Sequence, residues 1–251
     1  MRYTGFGTQR VEEELSEKFP AARVLRMDMD STGRVGAHAD MLERFGKGEY
    51  DILLGTQMVA KGLDFERVSL VGVIGIDSLL FGQGYRAYEN VFSLITQVVG
   101  RSGRALAPGR ALIQTMDPQN EVLSLAARQD YPAFYRQEIE FRRLALYPPF
   151  CTLCEVGFVA KEEEMALKAS RRFSDLLAEF AKQKQKLPLR ILGPAPLHVV
   201  QVAGSFRYRL TLKCRADAAF RALVRQALSA YNKEGWPRRA SVYISFHADG
   251  A

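Results

Sequence analysis

The stretch QVVGRSGR, residues 97–104, places two arginines three positions apart at the end of an amphipathic segment. Arg101, Arg104 and Gln97 fall on one face, away from an apolar stripe at helical spacing. That stripe comprises Val91, Leu94, Ile95, Val98 and Val99. Planar guanidinium groups on a buried helix are suited to bidentate contact with phosphate oxygens. The stretch therefore predicts an arginine-finger element, the alternative being a solvated basic turn at a helix C-terminus.

A second stretch, DILLGTQMVAKGLDF at residues 51–65, lies about forty residues upstream. A short buried strand runs into a polar loop and a short helix, so Thr56 and nearby backbone N–H groups could hold a phosphate. Gly62 permits a tight approach of the backbone and places Asp64 beside it. Together the two stretches predict a phosphate-handling α/β domain.

In this order the two stretches resemble the fifth and sixth motifs of superfamily 2 helicases. More narrowly, four segments resemble the C-terminal part of the PriA (primosomal protein N′) family of bacterial replication-restart helicases. They are GTQMVAKGLDF (55–65), VSLVGVIGID (68–77), QVVGRSGR (97–104) and ALYPPF (145–150). VLRMDMDST (24–32) also fits the segment that precedes the fifth motif. The resemblance covers nearly the whole chain and implies a second motor lobe followed by a C-terminal domain.

The resemblance also implies a function and roles for individual residues. The function is that of an ATP-dependent 3′-to-5′ DNA helicase that restarts stalled replication forks and assembles the primosome, with ATP and Mg²⁺ as cofactors. Arg101 and Arg104 would be catalytic, at the terminal phosphates of the nucleotide. The remaining implied residues bind the nucleotide (Gly62, Asp64 and Gln97) or the DNA (Thr56 and Gln57). The implied partners are branched and single-stranded DNA, single-stranded DNA-binding protein and primosome proteins.

The sequence contains no G-x-x-x-x-G-K-[ST] string, and the nearest match, GKG at residues 46–48, lacks the first glycine and the hydroxyl. A DEAH-like acidic motif is also missing. Phosphoryl transfer needs a phosphate cradle and a bound Mg²⁺ as well as a charge-stabilising arginine. We therefore expect a second lobe that is N-terminally truncated, binds ATP and Mg²⁺ mainly through the missing first lobe, and is inactive alone. A non-catalytic DNA-binding fragment and a lobe of another superfamily 2 translocase are the alternatives.

The positive charge is concentrated near the C-terminus. Residues 151–251 hold 17 basic and 9 acidic side chains, a net charge of +8, whereas the whole chain carries +7. Such an excess favours a polyanionic partner. Because no apolar run approaches the length of a membrane span, nucleic acid is expected rather than a membrane. The alternative is a basic domain without a nucleic-acid partner.

The three cysteines, without a secretory signal, indicate a reducing cytoplasm. The resemblance implies that this cytoplasm is bacterial and that the protein associates with the nucleoid. Cys151 and Cys154 form a C-x-x-C within an apparent strand, which would point them to opposite faces. Cys214 is remote, so no metal site is expected. The family carries zinc-binding cysteines, but Gly5 to Leu15 resembles the sequence just after them, so those ligands would lie upstream.

Short apolar strands alternating with helices over residues 1–146 predict a RecA-like lobe with a parallel sheet. The strands are expected at 23–27, 51–54, 68–76 and 110–115, helices at 8–18 and 33–45, and two helices within 120–146. Residues 77–86 are expected to form a glycine-containing loop. Residues 147–251 follow the order β-α-β-β-α-β, with one middle strand in two short pieces, 190–192 and 198–203, and a hairpin turn at Gly204 and Ser205. This order is typical of a ferredoxin-like α+β domain. The resemblance implies that this domain binds DNA and partner proteins.

Arginine alternates with aromatic residues in FRYR, residues 206–209. Arg207 and Arg209 are predicted to bind DNA phosphates, while bases could stack on Phe206 or Tyr208. Strand alternation, however, puts the arginines and the aromatics on opposite faces. Core aromatics behind solvated arginines are the alternative.

Overall fold

A computed structural model describes residues 7–27, 37–56, 68–82, 84–99, 110–183 and 187–246. The chain divides into two compact units, Met1–Arg136 and Gln137–Ala251. The division falls within helix Tyr131–Ala145. The predicted domain boundary between residues 146 and 147 stays a prediction.

In the first unit, short strands alternate with helices. In chain order these are α1 (Thr8–Lys18), β1 (Val24–Met27), α2 (Ala37–Gly46), β2 (Ile52–Gly55), β3 (Leu70–Val73), α3 (Asp77–Leu80), α4 (Ala87–Val99), β4 (Arg110–Ile113) and α5 (Glu121–Ala127). Strands β1 and β2 pair in parallel, as do β3 and β4. Parallel pairs of short apolar strands with intervening helices are what the alternating pattern predicted. Helix α6 (Tyr131–Ala145) follows α5, so residues 120–146 contain the two helices that were predicted.

The core of the first unit forms around α4. Val91 and Ile95 are fully buried, and Val98 is nearly so, as the helical spacing predicted. Phe92 stacks on Phe134, with ring centroids 4.3 Å apart. Helix α4 is therefore held by its apolar face, and the sequence GRSGR follows directly after it.

The loop predicted for residues 77–86 is wrong at its start, because Asp77–Leu80 forms the short helix α3. Ile76 and Leu80 are four residues apart and are 1% and 3% exposed. One helical turn brings both side chains to the same side, so both can reach the core. The glycines at 82 and 84 come only after this turn.

The second unit is an antiparallel sheet with two helices. Its elements are β5 (Thr152–Ala160), α7 (Glu163–Lys182), β6 (Leu189–Val202), β7 (Ser205–Cys214), α8 (Ala218–Lys233), a 3₁₀ turn (Trp236–Arg238) and β8 (Ser241–Ser245). The strand order is β6-β7-β5-β8. Both β5 and β7 are central and pair antiparallel with their neighbours, the arrangement of a ferredoxin-like domain. The predicted fold class is confirmed.

Strand β6 is one long strand, where two short pieces were expected. Its register with β7 shifts between Leu192 and Ala195 and again between Pro196 and Gln201. Gly193 has φ +100°, a conformation that a residue with a Cβ rarely adopts, so the chain bends there and pairing resumes beyond it. The β6–β7 turn follows at Ala203 and Gly204, which both have positive φ, and it confirms the predicted hairpin.

Helices α7 and α8 cover one face of this sheet and form its core. Phe173 and Phe158 meet Tyr231 edge to face, with centroids 5.5 and 6.2 Å from the tyrosine ring. The Tyr231 hydroxyl donates to the Ala240 carbonyl at 3.3 Å, and burial raises the pKa of this hydroxyl to about 12. The face opposite these helices, called the open face below, carries most of the polar strand residues.

Candidate motor-lobe residues and nucleic-acid interface

Two of the residues predicted for the motor-lobe site are described by the structure. Thr56 directly follows β2 and is exposed at the carboxyl end of this parallel strand, where α/β folds bind ligands. Gln97 lies in the last turn of α4, and its amide Nε2 donates to the Ser93 hydroxyl at 3.2 Å. The other five predicted residues lie outside the described ranges: Gln57, Gly62, Asp64, Arg101 and Arg104. Their roles stay predictions.

A buried carboxylate that the sequence reasoning missed joins the segments after β3 and β4. Asp77 is 9% exposed, and its Oδ1 accepts a hydrogen bond of 2.7 Å from the Thr115 hydroxyl. The Met116 N–H lies 3.1 Å from Oδ2 and 3.2 Å from Oδ1 of the same carboxylate. The signal was available, since an acidic residue directly after the apolar run VSLVGVIGI has to find donors if the run is buried.

In the second unit, FRYR divides between the two faces of the sheet. Tyr208 is 8% exposed and belongs to the core, where its hydroxyl donates to Glu163 Oε1 at 2.8 Å. Phe206 packs against the same core. Arg207 and Arg209 therefore lie on the open face, and the aromatics of FRYR do not form a stacking platform.

The open face is rich in cations. Pairing in the sheet aligns Arg190 with Lys213 across β6 and β7, and places Arg209 and Arg207 further along β7. On the same face of β5, Glu155 is opposite Thr211. This arrangement places four cationic side chains on one side of the sheet.

Three open-face side chains form a connected polar group. Arg209 Nη1 donates to Glu155 Oε2 at 3.2 Å, and the Tyr243 hydroxyl donates to Glu155 Oε1 at 3.3 Å. Tyr243 also lies against Gly157, its register partner on β5. A Cβ added at Gly157 would come within 2.0 Å of the Tyr243 ring, so the glycine is what allows the ring to lie on the sheet. Sequence reasoning missed Tyr243, because nothing in its local sequence reveals its cross-strand neighbours.

One end of the open face is covered by the segment that follows α6. Lys213 is 7% exposed; its ammonium donates to the Ala145 carbonyl at 2.6 Å and lies 3.7 Å from the centre of the Tyr147 ring. Burial lowers the pKa of Lys213 below its ordinary 10.5. A cation at the last carbonyls of a helix complements its dipole, and the aromatic face adds to this attraction. Lys213 thus fastens the segment to the sheet and is not a free phosphate ligand.

The three cysteines are free thiols that lie in or beside the core of the second unit. Cys151 precedes β5, and its thiol donates to the Leu146 carbonyl at 3.0 Å. Cys154 and Cys214 lie in the core, and burial raises the pKa of each thiol to about 12. In the ranges that the structure describes, no group of three or more His, Cys, Asp or Glu side chains could hold a metal ion. Among the helices of those ranges, none is both long enough and apolar enough to cross a membrane.

In the comparison with known proteins, two different family models match the N-terminal and C-terminal parts of the chain. Residues 6–106 match the model of the helicase conserved C-terminal domain, and residues 143–249 match that of the primosomal protein N C-terminal domain. The replication restart protein PriA of Bacillus subtilis is 42% identical over 234 residues, which are 93% of this chain and 29% of that protein. The proteins of the same name from Treponema pallidum and Haemophilus influenzae are 35% and 34% identical over 99% and 98% of this chain. The chain covers 36% and 33% of those two proteins.

The parallel strand pairs and the helicase match define a helicase motor lobe, here joined to a ferredoxin-like domain. The match to the helicase C-terminal domain comes first in the chain, and the match to the primosomal protein N C-terminal domain follows it. The chain belongs to the PriA family of replication restart proteins and corresponds to their C-terminal part. It spans about a third of the length of the curated relatives that it matches.

Proposed function

We propose that this chain is the C-terminal portion of an ATP-dependent 3′-to-5′ DNA helicase that restarts stalled replication forks and assembles the primosome. The observation that carries the proposal is the succession of a helicase C-terminal domain and a primosomal protein N C-terminal domain in one chain. The relatives named replication restart protein PriA support it. Cytoplasmic location in a bacterium, with nucleoid association, belongs to the same proposal.

In this proposal, ATP and Mg²⁺ are held mainly by a first motor lobe, and this chain supplies the opposing wall of the nucleotide cleft. Hydrolysis of the terminal phosphate of ATP provides the free energy for movement along DNA. Arg101 and Arg104 stabilise the negative charge that develops on that phosphate. Gly62, Asp64 and Gln97 contact the nucleotide, and the position of Gln97 in the last turn of the well-anchored α4 supports its part in this set.

Movement along DNA also requires that the protein binds the strand, and the chain has two candidate surfaces for this. Thr56 and Gln57 would hold the strand backbone at the carboxyl end of β2, where Thr56 is exposed. The open face of the second unit binds DNA through its cations, of which Arg207 forms no side-chain ion pair with any described residue. Branched and single-stranded DNA are the proposed substrates, and single-stranded DNA-binding protein and primosome proteins the proposed partners.

The test is to measure ATP hydrolysis by this chain alone and by a full-length protein that contains it, each with and without single-stranded DNA. We expect DNA-stimulated hydrolysis from the full-length protein and none from the chain alone, because the sequence here holds no phosphate-cradling lysine motif. Hydrolysis by the homogeneous chain that disappears in its Arg104→Ala variant would contradict the two-lobe assignment.

The basic open face also supports a second candidate, a DNA-binding module without catalytic function. The two candidates differ in the full-length protein. If that protein binds DNA but hydrolyses no ATP under any DNA condition, the module is the correct assignment and the helicase is not.

A further inference from the structure

Tyr243 lies on the open face with one side of its ring against the sheet. Its nearest neighbour is Gly157, where an added Cβ would come within 2.0 to 2.4 Å of three atoms at the tip of the tyrosine. The hydrogen bond from the hydroxyl to Glu155 holds that tip in place. Because Tyr243 is still 37% exposed, the other side of the ring is open to solvent. A ring laid flat on a sheet in this way can accept a second planar group on its outer side.

Two arginines lie across the sheet from this ring. Gly157 is flanked by Tyr243 on one side and by Arg209 on the other, and Arg207 is in the next open-face row of the same strand as Arg209. Neighbouring strands are about 4.8 Å apart, which puts the backbones of Arg209 and Tyr243 roughly 10 Å from each other. A nucleotide with its base on the ring could therefore present its phosphates to the guanidinium groups across the sheet.

We propose that Tyr243 is a base-stacking residue and that the open face binds single-stranded DNA, with bases on this ring and phosphates at Arg207. The proposal rests on the proposed function, which makes DNA the ligand. It adds the residue that contacts the bases, and with it a preference for single strands, because the bases of a duplex are stacked on each other, whereas those of a single strand can be splayed onto an aromatic side chain. Tyr243 also takes the base-stacking role that the sequence suggested for Phe206 or Tyr208, because both of those side chains lie on the core side of the sheet.

The experiment measures binding of the full chain to a fluorescein-labelled 15-mer of deoxythymidine by fluorescence anisotropy. A 15-mer of abasic sites has the same number of phosphates and no bases. Tyr243→Ala should weaken binding of the thymidine strand about 5- to 100-fold and leave binding of the abasic strand unchanged, since stacking requires the base. Tyr243→Phe keeps the ring and should bind both strands like the unaltered chain.

A second variant tests the position of the ring without removing it. In Gly157→Ala the new Cβ forces the tip of Tyr243 away, so this chain should lose affinity for the thymidine strand as Tyr243→Ala does. Thermal melting of each variant establishes that the second unit is folded. Comparable binding of the thymidine strand by Tyr243→Ala and the unaltered chain would overturn the stacking role.

Binding of the two strands by these variants distinguishes a failure of base stacking from a failure of DNA binding. If Arg207→Glu weakens binding of both strands while Tyr243→Ala affects neither, DNA binding by the open face stands and base stacking is wrong. If the unaltered chain binds neither strand at low salt, the open face does not bind DNA and both proposals fail for this unit.

Discussion

Arg209 and Glu155 form an ion pair on the open face of the C-terminal sheet, with Nη1 3.2 Å from Oε2 and side chains only 17% and 14% exposed. Glu155 also accepts a hydrogen bond from the Tyr243 hydroxyl. A shielded guanidinium that already has a carboxylate partner gains less from a phosphate, because the phosphate has to compete with that partner. Arg207 and Arg209, equivalent in the sequence pattern, are therefore not equivalent in the structure.

We expect charge reversal at these two positions to have different effects. Arg207→Glu should flatten the slope of log K against log salt for DNA binding by up to roughly one unit per lost phosphate contact, with little change in melting temperature. Arg209→Glu should lower the melting temperature, since it places two carboxylates together in a half-buried site. Salt titrations and calorimetry measure both effects. A flatter slope from Arg209→Glu alone, with unchanged stability, would show that Arg209 is the phosphate ligand.

In the full-length protein, Arg104→Ala should reduce kcat for ATP hydrolysis by about 10³-fold or more, because a finger arginine stabilises the transition state. Arg101→Ala should behave similarly. DNA affinity, measured in parallel, should be nearly unchanged in both. Normal hydrolysis combined with lost DNA affinity would identify the arginines as DNA contacts.

Asp77→Ala should destabilise the first unit by about 1–3 kcal/mol, since the Met116 N–H and the Thr115 hydroxyl lose their buried acceptor. Asp77→Asn keeps one acceptor oxygen and should cost less. Urea denaturation followed by circular dichroism gives both values. Equal stability of Asp77→Ala and the unaltered chain would mean that water replaces the carboxylate at no cost.

The three thiols should react with a disulfide reagent at different rates at pH 8. Cys154 and Cys214 are 0% and 4% exposed with pKa values near 12, so neither thiolate nor access is available while the chain is folded. Cys151 is half-buried, and burial raises its pKa as well, so it should react slowly. One thiol at most should titrate in the native chain and all three in denaturant. Rapid reaction of two native thiols would be incompatible with the core placement.

The Arg23–Asp51 pair should contribute to stability in a defined pH range. Arg23 donates from its backbone N–H and Nε to Asp51 Oδ2, at 2.8 and 3.0 Å, and this lowers the carboxyl pKa from its ordinary 3.8 to about 2. The unfolded chain takes up the proton first, so the contribution is present above pH 3.8 and is lost as the pH falls towards 2. The stability difference between the unaltered chain and Asp51→Asn should therefore shrink over this range in urea melts. A constant difference down to pH 2 would show that the pair is not responsible.

Local sequence patterns predicted the elements and their order, because each strand and helix here buries a face that can be recognised within a few residues. The short, mostly apolar stretch TLCEVGFVA was identified as β5, and the stripe of Val91, Ile95 and Val98 predicted α4. Short helix α3 was missed because two glycines follow it closely in DSLLFGQGYR and suggested a loop, whereas the burial of Ile76 and Leu80 decides its conformation.

The candidate interface was only partly predictable. Arg207 and Arg209 were visible as an alternating pattern, yet the partner that neutralises Arg209 lies 54 residues away. Tyr243 and Glu155 are 88 residues apart, and only the register of β8 on β5 brings them together. Contacts across strands depend on register, which no local pattern reveals.

Strand β6 forms one outer edge of the described C-terminal sheet and contains two prolines in its irregular stretch, Pro194 and Pro196. Proline has no N–H, so the row of donors along this edge is interrupted where an added strand would need it. Strand β6 is thus a poor template for pairing with a strand of another molecule, which disfavours edge-to-edge association along this side of the sheet.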